Sequence, residues 1–302
     1  MNAKVVVVGS LNMDLVVRAQ RLPRAGETLP GERFFTVPGG KGANQAVAAA
    51  RLGASVAMIG NVGDDDYGRQ LHQALSAEGI DCQGVSTGPG VSSGVALITV
   101  DAASQNCIVI IPGGNGLLTP QSVQHFEALL QAAQVVICQL EVPVDTVAWT
   151  LRRARELGKQ VILNPAPATG PLPAQWFALI DYLTPNESEA EALTGIAVTD
   201  QASAQLAAER LLQAGAGKVI VTLGAQGALL VTPEGHQHYP APVVQPLDTT
   251  AAGDTFIGGF AAGLVRGLEE GEAIAFGQRA AALSVTRAGA QPSIPYLAEL
   301  VP

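Results

Sequence analysis

Val135-Val136-Ile137-Cys138-Gln139, then a helically spaced segment over 146–157, then Val161-Ile162-Leu163 spell a strand, a helix and a second strand. Both strands are continuously apolar, as a strand must be when helices cover both faces of its sheet, and the helix between them is the crossover that parallel pairing requires. The alternation extends both ways along the chain. Further buried strands are expected over 5–8, 55–59, 182–184, 219–222 and 228–232, and further helices over 45–52, 67–78, 187–194 and 202–213. The pattern predicts an α/β fold, a doubly wound and mostly parallel sheet flanked by helices, with 1–302 as a single domain. Two regions break it. In 93–111, the apolar runs 94–100 and 108–111 flank a polar turn like a hairpin, and with 15–37 they predict a small antiparallel flap forming a lid. Along 94–100, Val95, Leu97 and Thr99 fall on one face and Ala96, Ile98 and Val100 on the other. Both faces are apolar, so both are expected to be covered.

Of the 302 residues 48% are hydrophobic and 14% charged, enough apolar surface to bury a large core. The apolar runs are far shorter than the roughly 20 residues that span a bilayer, and no basic region followed by an apolar stretch opens the chain. No membrane partner and a cytoplasmic location are therefore expected. Cys82, Cys107 and Cys138 are an odd number without CxxC spacing, expected to be reduced and structural. A formal net charge of -9 argues against nucleic acid, because a phosphate backbone is bound by clustered Lys and Arg.

The chemistry concentrates in Asp248-Thr249-Thr250-Ala251-Ala252-Gly253-Asp254-Thr255-Phe256, which runs into the small-residue helical pattern 258–264. A turn of small residues lets consecutive backbone N–H groups point at one spot, and the positive end of the following helix favours an anion there. Asp254 then stands as a proton acceptor beside a phosphate, the minimum equipment for phosphorylating an alcohol. Taken alone, the stretch reads more readily as a helix capped by Asp254 after a small-residue turn, and the rest of the chain decides.

A second glycine cluster, Gly39-Gly40-Lys41-Gly42-Ala43-Asn44-Gln45, precedes an Ala-rich helix. It is not a Walker P-loop, since Lys41 is not followed by Ser or Thr. Its glycines would allow close backbone approach to a ligand, with Asn44 offering a donor and an acceptor to a polyol; a glycine turn capped by Asn44 reads as well. Asn12 and Asp14, two apart after the first strand, would face one side of an extended segment and suit sugar hydroxyls, or would form a polar turn.

Asn12-x-Asp14, Gly39 to Asn44, Asn164-Pro165-Ala166-Pro167-Ala168, Pro185-Asn186-Glu187, Thr222 to Gly227, Asp248 to Asp254 and Thr286 to Ser293 occur in that order. In them the chain resembles, over essentially its whole length, the ribokinase-like family of carbohydrate kinases. The resemblance implies a doubly wound α/β domain with a small β-sheet lid, the lids of two subunits often pairing in a homodimer. It puts Asn12, Asp14, Gly40, Lys41, Asn44 and Glu141 on the sugar, with Glu141 exposed at the end of the strand over 135–140. Asp254 becomes the general base, and the Ala252 and Gly253 N–H groups form the anion hole. ATP is implied along Thr222, Leu223, Gly224, Ala225, Gln226 and Gly227 and at Gly253, with Asn186 reaching phosphate, Glu187 the Mg²⁺ region through water, and Gln278 the adenine. A K⁺ site is implied at Asp248, Thr250, Ser284, Arg287, Gly289 and Ser293, many through main-chain oxygens. The reaction implied is ATP-dependent conversion of D-ribose to D-ribose 5-phosphate, with a lid that excludes water.

Ala251 departs from the commonest family form, which has Gly there, a change that disfavours positive φ. The four histidines, His72, His125, His236 and His238, match no functional position, and His236 and His238 are expected in a solvent-facing turn. A 2-deoxyribose kinase would share nearly all of these motifs. A nucleoside kinase would need a platform for its base, which 4% aromatic residues do not suggest. A catalytically silent sugar-binding protein on this fold is the remaining alternative, and Asp254 argues against it.

Overall fold

A computed structural model describes residues 3–103 and 105–300; Ser104, inside the expected lid span, and the terminal residues of the expected 1–302 domain lie outside the described residues. The first half of the chain runs β1 (Val5–Val8), β2 (Asn12–Arg18), β3 (Arg33–Gly39), α1 (Lys41–Arg51), β4 (Val56–Gly63), α2 (Asp66–Ala77), β5 (Asp81–Gly88), β6 (Gly94–Val100), β7 (Asn106–Ile111), α3 (Pro120–His125) and α4 (Glu127–Ala132). The second half runs β8 (Val135–Cys138), α5 (Val144–Glu156), β9 (Gln160–Leu163), β10 (Tyr182–Leu183), α6 (Glu187–Thr194), α7 (Gln201–Gln213), β11 (Lys218–Thr222), β12 (Ala228–Thr232), β13 (Gly235–Tyr239), α8 (Ala252–Val265) and α9 (Glu270–Ser284).

The continuously apolar runs form the middle of a nine-stranded sheet of order β13-β12-β11-β10-β9-β8-β1-β4-β5, parallel from β11 to β5. Among the described residues, the β11–β12 and β12–β13 pairings of this sheet are antiparallel, so β12 alone runs against the other strands. Alternation along β1 divides the core. Val6 and Val8 pack with Val147 and Leu151 of α5 and Ala204 and Leu211 of α7. Val5 and Val7 pack on the other side with residues of α1, α2, α8 and α9, including Val47, Leu71, Phe260 and Ile274. Among the described residues no helix is long and apolar enough to cross a membrane.

A separate four-stranded sheet of order β3-β2-β6-β7 stands off the main body. The flap was expected to be antiparallel, yet β2 and β6 pair in parallel. The chain between them, β3 through β5, is a crossover long enough to bring β6 back in the same direction. Nor are both faces of this sheet covered within one chain. β7 is exposed throughout, Cys107 included, and Leu97, Ile108, Val109 and Ile110 are 45–55% exposed.

His236 and His238 lie in the edge strand β13 rather than in a turn, because the chain reverses two residues earlier and Thr232 pairs with Gly235. Helix α1 starts at Lys41, four residues before the expected 45, since Gly40 takes φ +88 and serves as its cap. Ala251 is the one non-glycine with positive φ among the described residues, at 58. Left-handed backbone costs an L-residue about 1–2 kcal/mol, partly offset in glycine by its greater unfolded-state freedom. Ala251→Gly is therefore expected to stabilise the protein by about 0.5–1 kcal/mol, read as a raised urea midpoint; an unchanged midpoint would mean the turn carries no strain.

Candidate active site

Helices α1 and α8 meet backbone to backbone, since a Cβ on Gly258 would lie 2.6 Å from Gln45 O and 2.5 Å from the Ala48 Cβ. This contact sets two amides of α1 against one carboxylate of α8. Asn44 Nδ2 donates to Asp254 Oδ2 at 3.0 Å, and Gln45 Nε2 donates to Asp254 Oδ1 at 2.9 Å, with all three residues buried. Neither Asn44 nor Asp254 is a cap: the caps are Gly40 and Ala251, and both side chains sit inside the first turns of their helices. Asn44 Oδ1, buried beside Asp254, has no hydrogen-bond donor among the described residues.

The glycines at the start of α1 are required by close packing within the chain. A Cβ on Gly40 would lie 2.7 Å from Asn12 N, one on Gly42 2.6 Å from Ser10 N, and one on Gly39 would collide with the Asp14 carboxylate. They let the turn between β1 and β2 lie directly on α1. Ser10 Oγ donates to Glu141 Oε2 at 2.5 Å, and Lys41 N donates to the same oxygen at 3.1 Å. Glu141 is thus half-buried with one oxygen engaged, not exposed at a strand end; β8 stops at Cys138. Asn115 donates to Asn12 Oδ1 at 2.7 Å, which turns the Asn12 amide nitrogen free.

Carboxylates crowd this floor. Burial, then the charges of Glu141 and Asp254, push Asp14 up to about 7. Burial works against the Lys41 ammonium, but Asp254, Glu141 and Glu189 outweigh it and hold Lys41 above its ordinary value.

Beyond Asp254 opens a cavity of about 210 Å³ lined by Lys41, Asn186, Glu189, Thr222, Gly253 and Asp254, among others. A Cβ on Gly253 would meet nothing within 4 Å, so packing does not demand glycine there. The backbone donors at the start of α8 differ in their engagement. Ala252 N–H donates to Thr249 O at 3.2 Å, whereas the Gly253 and Asp254 N–H groups have no acceptor among the described residues. Glu189 lines this cavity and Glu187 does not; Asn186 Oδ1 caps α6 by accepting from Glu189 N at 2.8 Å.

Residues Thr222 to Gly227 form the end of β11 and a one-turn 3-10 helix before β12, and of these only Thr222 lines the cavity. Leu223 is buried; Gly224, Ala225 and Gln226 are exposed. Gly227, at φ +102, is required by the protein's own Tyr239 O, with which a Cβ there would collide. Gln278 is buried and donates to Tyr239 O at 2.7 Å. In the carboxyl-terminal loop, Asp248 accepts from Thr250 N, Thr250 Oγ1 and Gly289 N, at 2.9, 2.6 and 2.8 Å. Burial opposes its charge, but these bonds keep its carboxyl below the usual range. Ser284 and Ser293 are buried with their hydroxyls on Ala281 O and Ala290 O, and the Arg287 side chain pairs with Glu299.

Ser10, Gln45, Asn115, Gln139 and Asn164 were missed as site residues. Gln45 and Asn164 stood inside quoted motifs, but nothing in one dimension showed that they meet.

Residues 2–297 match the pfkB family carbohydrate kinases. The chain is 43% identical to the ribokinase of Haemophilus influenzae over 295 residues, 98% of this chain and 96% of that one. It is 40% identical to a deoxyribokinase of Salmonella typhi over 293 residues, 97% and 96% of the two chains. Among solved structures it superposes on Arabidopsis thaliana ribokinase complexed with ribose and ATP with a TM-score of 0.92 at 32% identity, covering 99% and 98% of the chains. Fold, ordered motifs and these full-length likenesses agree that the chain belongs to the pfkB family of carbohydrate kinases.

Proposed function

We propose that this chain is an ATP-dependent ribokinase, working in the cytoplasm and transferring the γ-phosphoryl group of ATP to the 5-hydroxyl of D-ribose. Asn44 Oδ1 carries the reading. It is a buried acceptor without a donor on an amide whose other end holds Asp254. A sugar hydroxyl satisfies that acceptor and is thereby set beside a carboxylate that can take its proton. Asp254 receives the proton, the hydroxyl oxygen bonds to the γ-phosphorus, and the bond to the bridging oxygen breaks to release ADP. Asn12, Asp14, Gly40, Lys41 and Glu141 line the sugar in this proposal, and the free Gly253 and Asp254 N–H groups face the developing charge.

Mg²⁺ would supply charge neutralisation across the phosphates; Glu189 and Glu187, at the start of α6, would reach its hydration shell, with Asn186 beside them. The nucleotide would extend along Thr222 to Gly227 toward Gln278. K⁺ suits the oxygen-rich loop of Asp248, Thr250, Ser284, Gly289 and Ser293, with Arg287 limited to its main-chain oxygen, and would order the turn before Asp254.

The test compares ATP-dependent phosphorylation of D-ribose and 2-deoxyribose, with and without K⁺. Higher kcat/KM on ribose and stimulation by K⁺ are expected. The two sugars differ by one hydroxyl, which discriminates only when a site is built around it. An equal or greater kcat/KM on 2-deoxyribose would assign the chain to that sugar, and no transfer to either would leave a sugar-binding protein.

The exposed apolar strand β7 and Leu97 support a homodimer formed through the flaps. Solution scattering is expected to give twice the chain mass; a monomeric mass would refute it.

A further inference from the structure

We propose that Gln45, held in turn by Gln139 and Asn164, is a positioning residue that fixes the plane in which the Asp254 carboxylate meets the sugar hydroxyl. The inference rests on Asp254 being the base. Asn44 and Gln45 donate to different oxygens of Asp254, so the carboxylate cannot rotate without losing one bond. Gln45 is itself restrained at three points. Its Nε2 also donates to Asn164 Oδ1 at 3.2 Å, its Oε1 accepts from Gln139 Nε2 at 2.5 Å, and its backbone oxygen abuts Gly258 of α8. Asn164 is anchored by donating to Thr184 O at 3.2 Å.

Side-chain amides from three segments, α1 and the residues that follow β8 and β9, thus converge on one carboxylate. Gln45 and Gln139 are fully buried, where each polar group must be satisfied by the protein or cost stability. Gln139 Oε1 has no donor among the described residues, and a Cβ on Gly9 would collide with it. A fold selected for packing alone would place apolar side chains here. The retained, incompletely satisfied amides act on what lies at the end of the chain, which is Asp254.

The experiment measures single-turnover phosphoryl transfer from ATP to ribose across pH, with ribose and ADP affinities by calorimetry, for Gln45→Leu, Gln139→Leu and Asp254→Asn. The charged groups facing Asp254 are Lys41 from α1, Asp14 from β2 and Glu189 from α6, and all remain in the variants. Gln45→Leu is expected to slow transfer by roughly 10- to 100-fold with ribose and ADP affinities within about threefold. Gln139→Leu gives a smaller loss, roughly 3- to 10-fold, and Gln45→Leu adds little in the Asp254→Asn background. A rate within about twofold of the parent in Gln45→Leu, or a loss of rate matched by an equal loss of ribose or ADP affinity, while Asp254→Asn is inactive, would overturn the positioning role alone. An active Asp254→Asn would instead overturn the base. Should Gln45→Leu not fold, Gln45→Met and Gln139→Leu carry the same readouts.

Discussion

Asp254→Asn is expected to slow phosphoryl transfer by about 10²–10⁴-fold, the contribution of a positioned general base. The substitution preserves size and the first turn of α8 but replaces one carboxylate oxygen by an NH₂ group. Asn44 and Gln45 each donate to a different oxygen, so one of them then faces a donor instead of an acceptor. Some loss of stability accompanies the loss of rate, on the order of 1–3 kcal/mol for the unsatisfied buried group. Rapid-quench turnover and thermal melts on the same sample separate the two. A rate within tenfold of the parent would send the proton directly to a phosphate oxygen and leave Asp254 a structural acceptor.

Asp14→Asn is expected to make the ligand-free protein more stable at pH 8 and, at the same pH, a poorer binder of ribose. Burial and the neighbouring Glu141 and Asp254 charges raise the Asp14 carboxyl from 3.8 to about 7. A carboxyl that holds its proton more tightly folded than unfolded favours the native state below pH 4 and loses that advantage as pH rises through 7. Above that range the buried charge costs stability, and removing it recovers up to ~4 kcal/mol at pH 8 and little at pH 4. The same charge accepts sugar hydroxyls, so the variant is expected to bind ribose roughly tenfold or more weakly. The parent's own affinity should fall as pH drops below about 7. Urea melts at pH 5 and 8 with ribose calorimetry check both, and an unchanged midpoint at pH 8 would show that Asp14 bears no such strain.

The sheet was legible because strands buried on both faces are continuously apolar: β1 and β12 fall on their expected bounds, as does the helix α6. Strand β13 was not, since its His and Gln side chains on an exposed edge mimic a turn. The Ala-rich α9 is buried on several sides, including against α8 through Gly277, and its apolar positions therefore show little helical period. In the site, the residues of the small-residue turns were readable because glycine next to a helix start has few uses. The amide chain was not, because its bonds join positions 94 to 209 residues apart and only the fold brings them together. The glycines of 39–42 were noticed as room for a ligand; that they also accommodate Ser10, Asn12 and Asp14 of the same chain was not readable, because only the fold brings those residues onto them.

Strand β2 belongs to the small sheet, yet its first residues lie in the floor of the site. Asn12 is 3% exposed, and by Arg18 the strand has reached solvent. From Asp14 to Arg18 is about 13 Å of stiff, hydrogen-bonded backbone. The strand is therefore a lever: a tilt of the outer flap is delivered to the carboxylate proposed to grip the sugar. Flap posture and sugar affinity become a single equilibrium, so a cross-link between the flaps of two subunits should be felt as a changed appetite for sugar rather than as a changed chemical step.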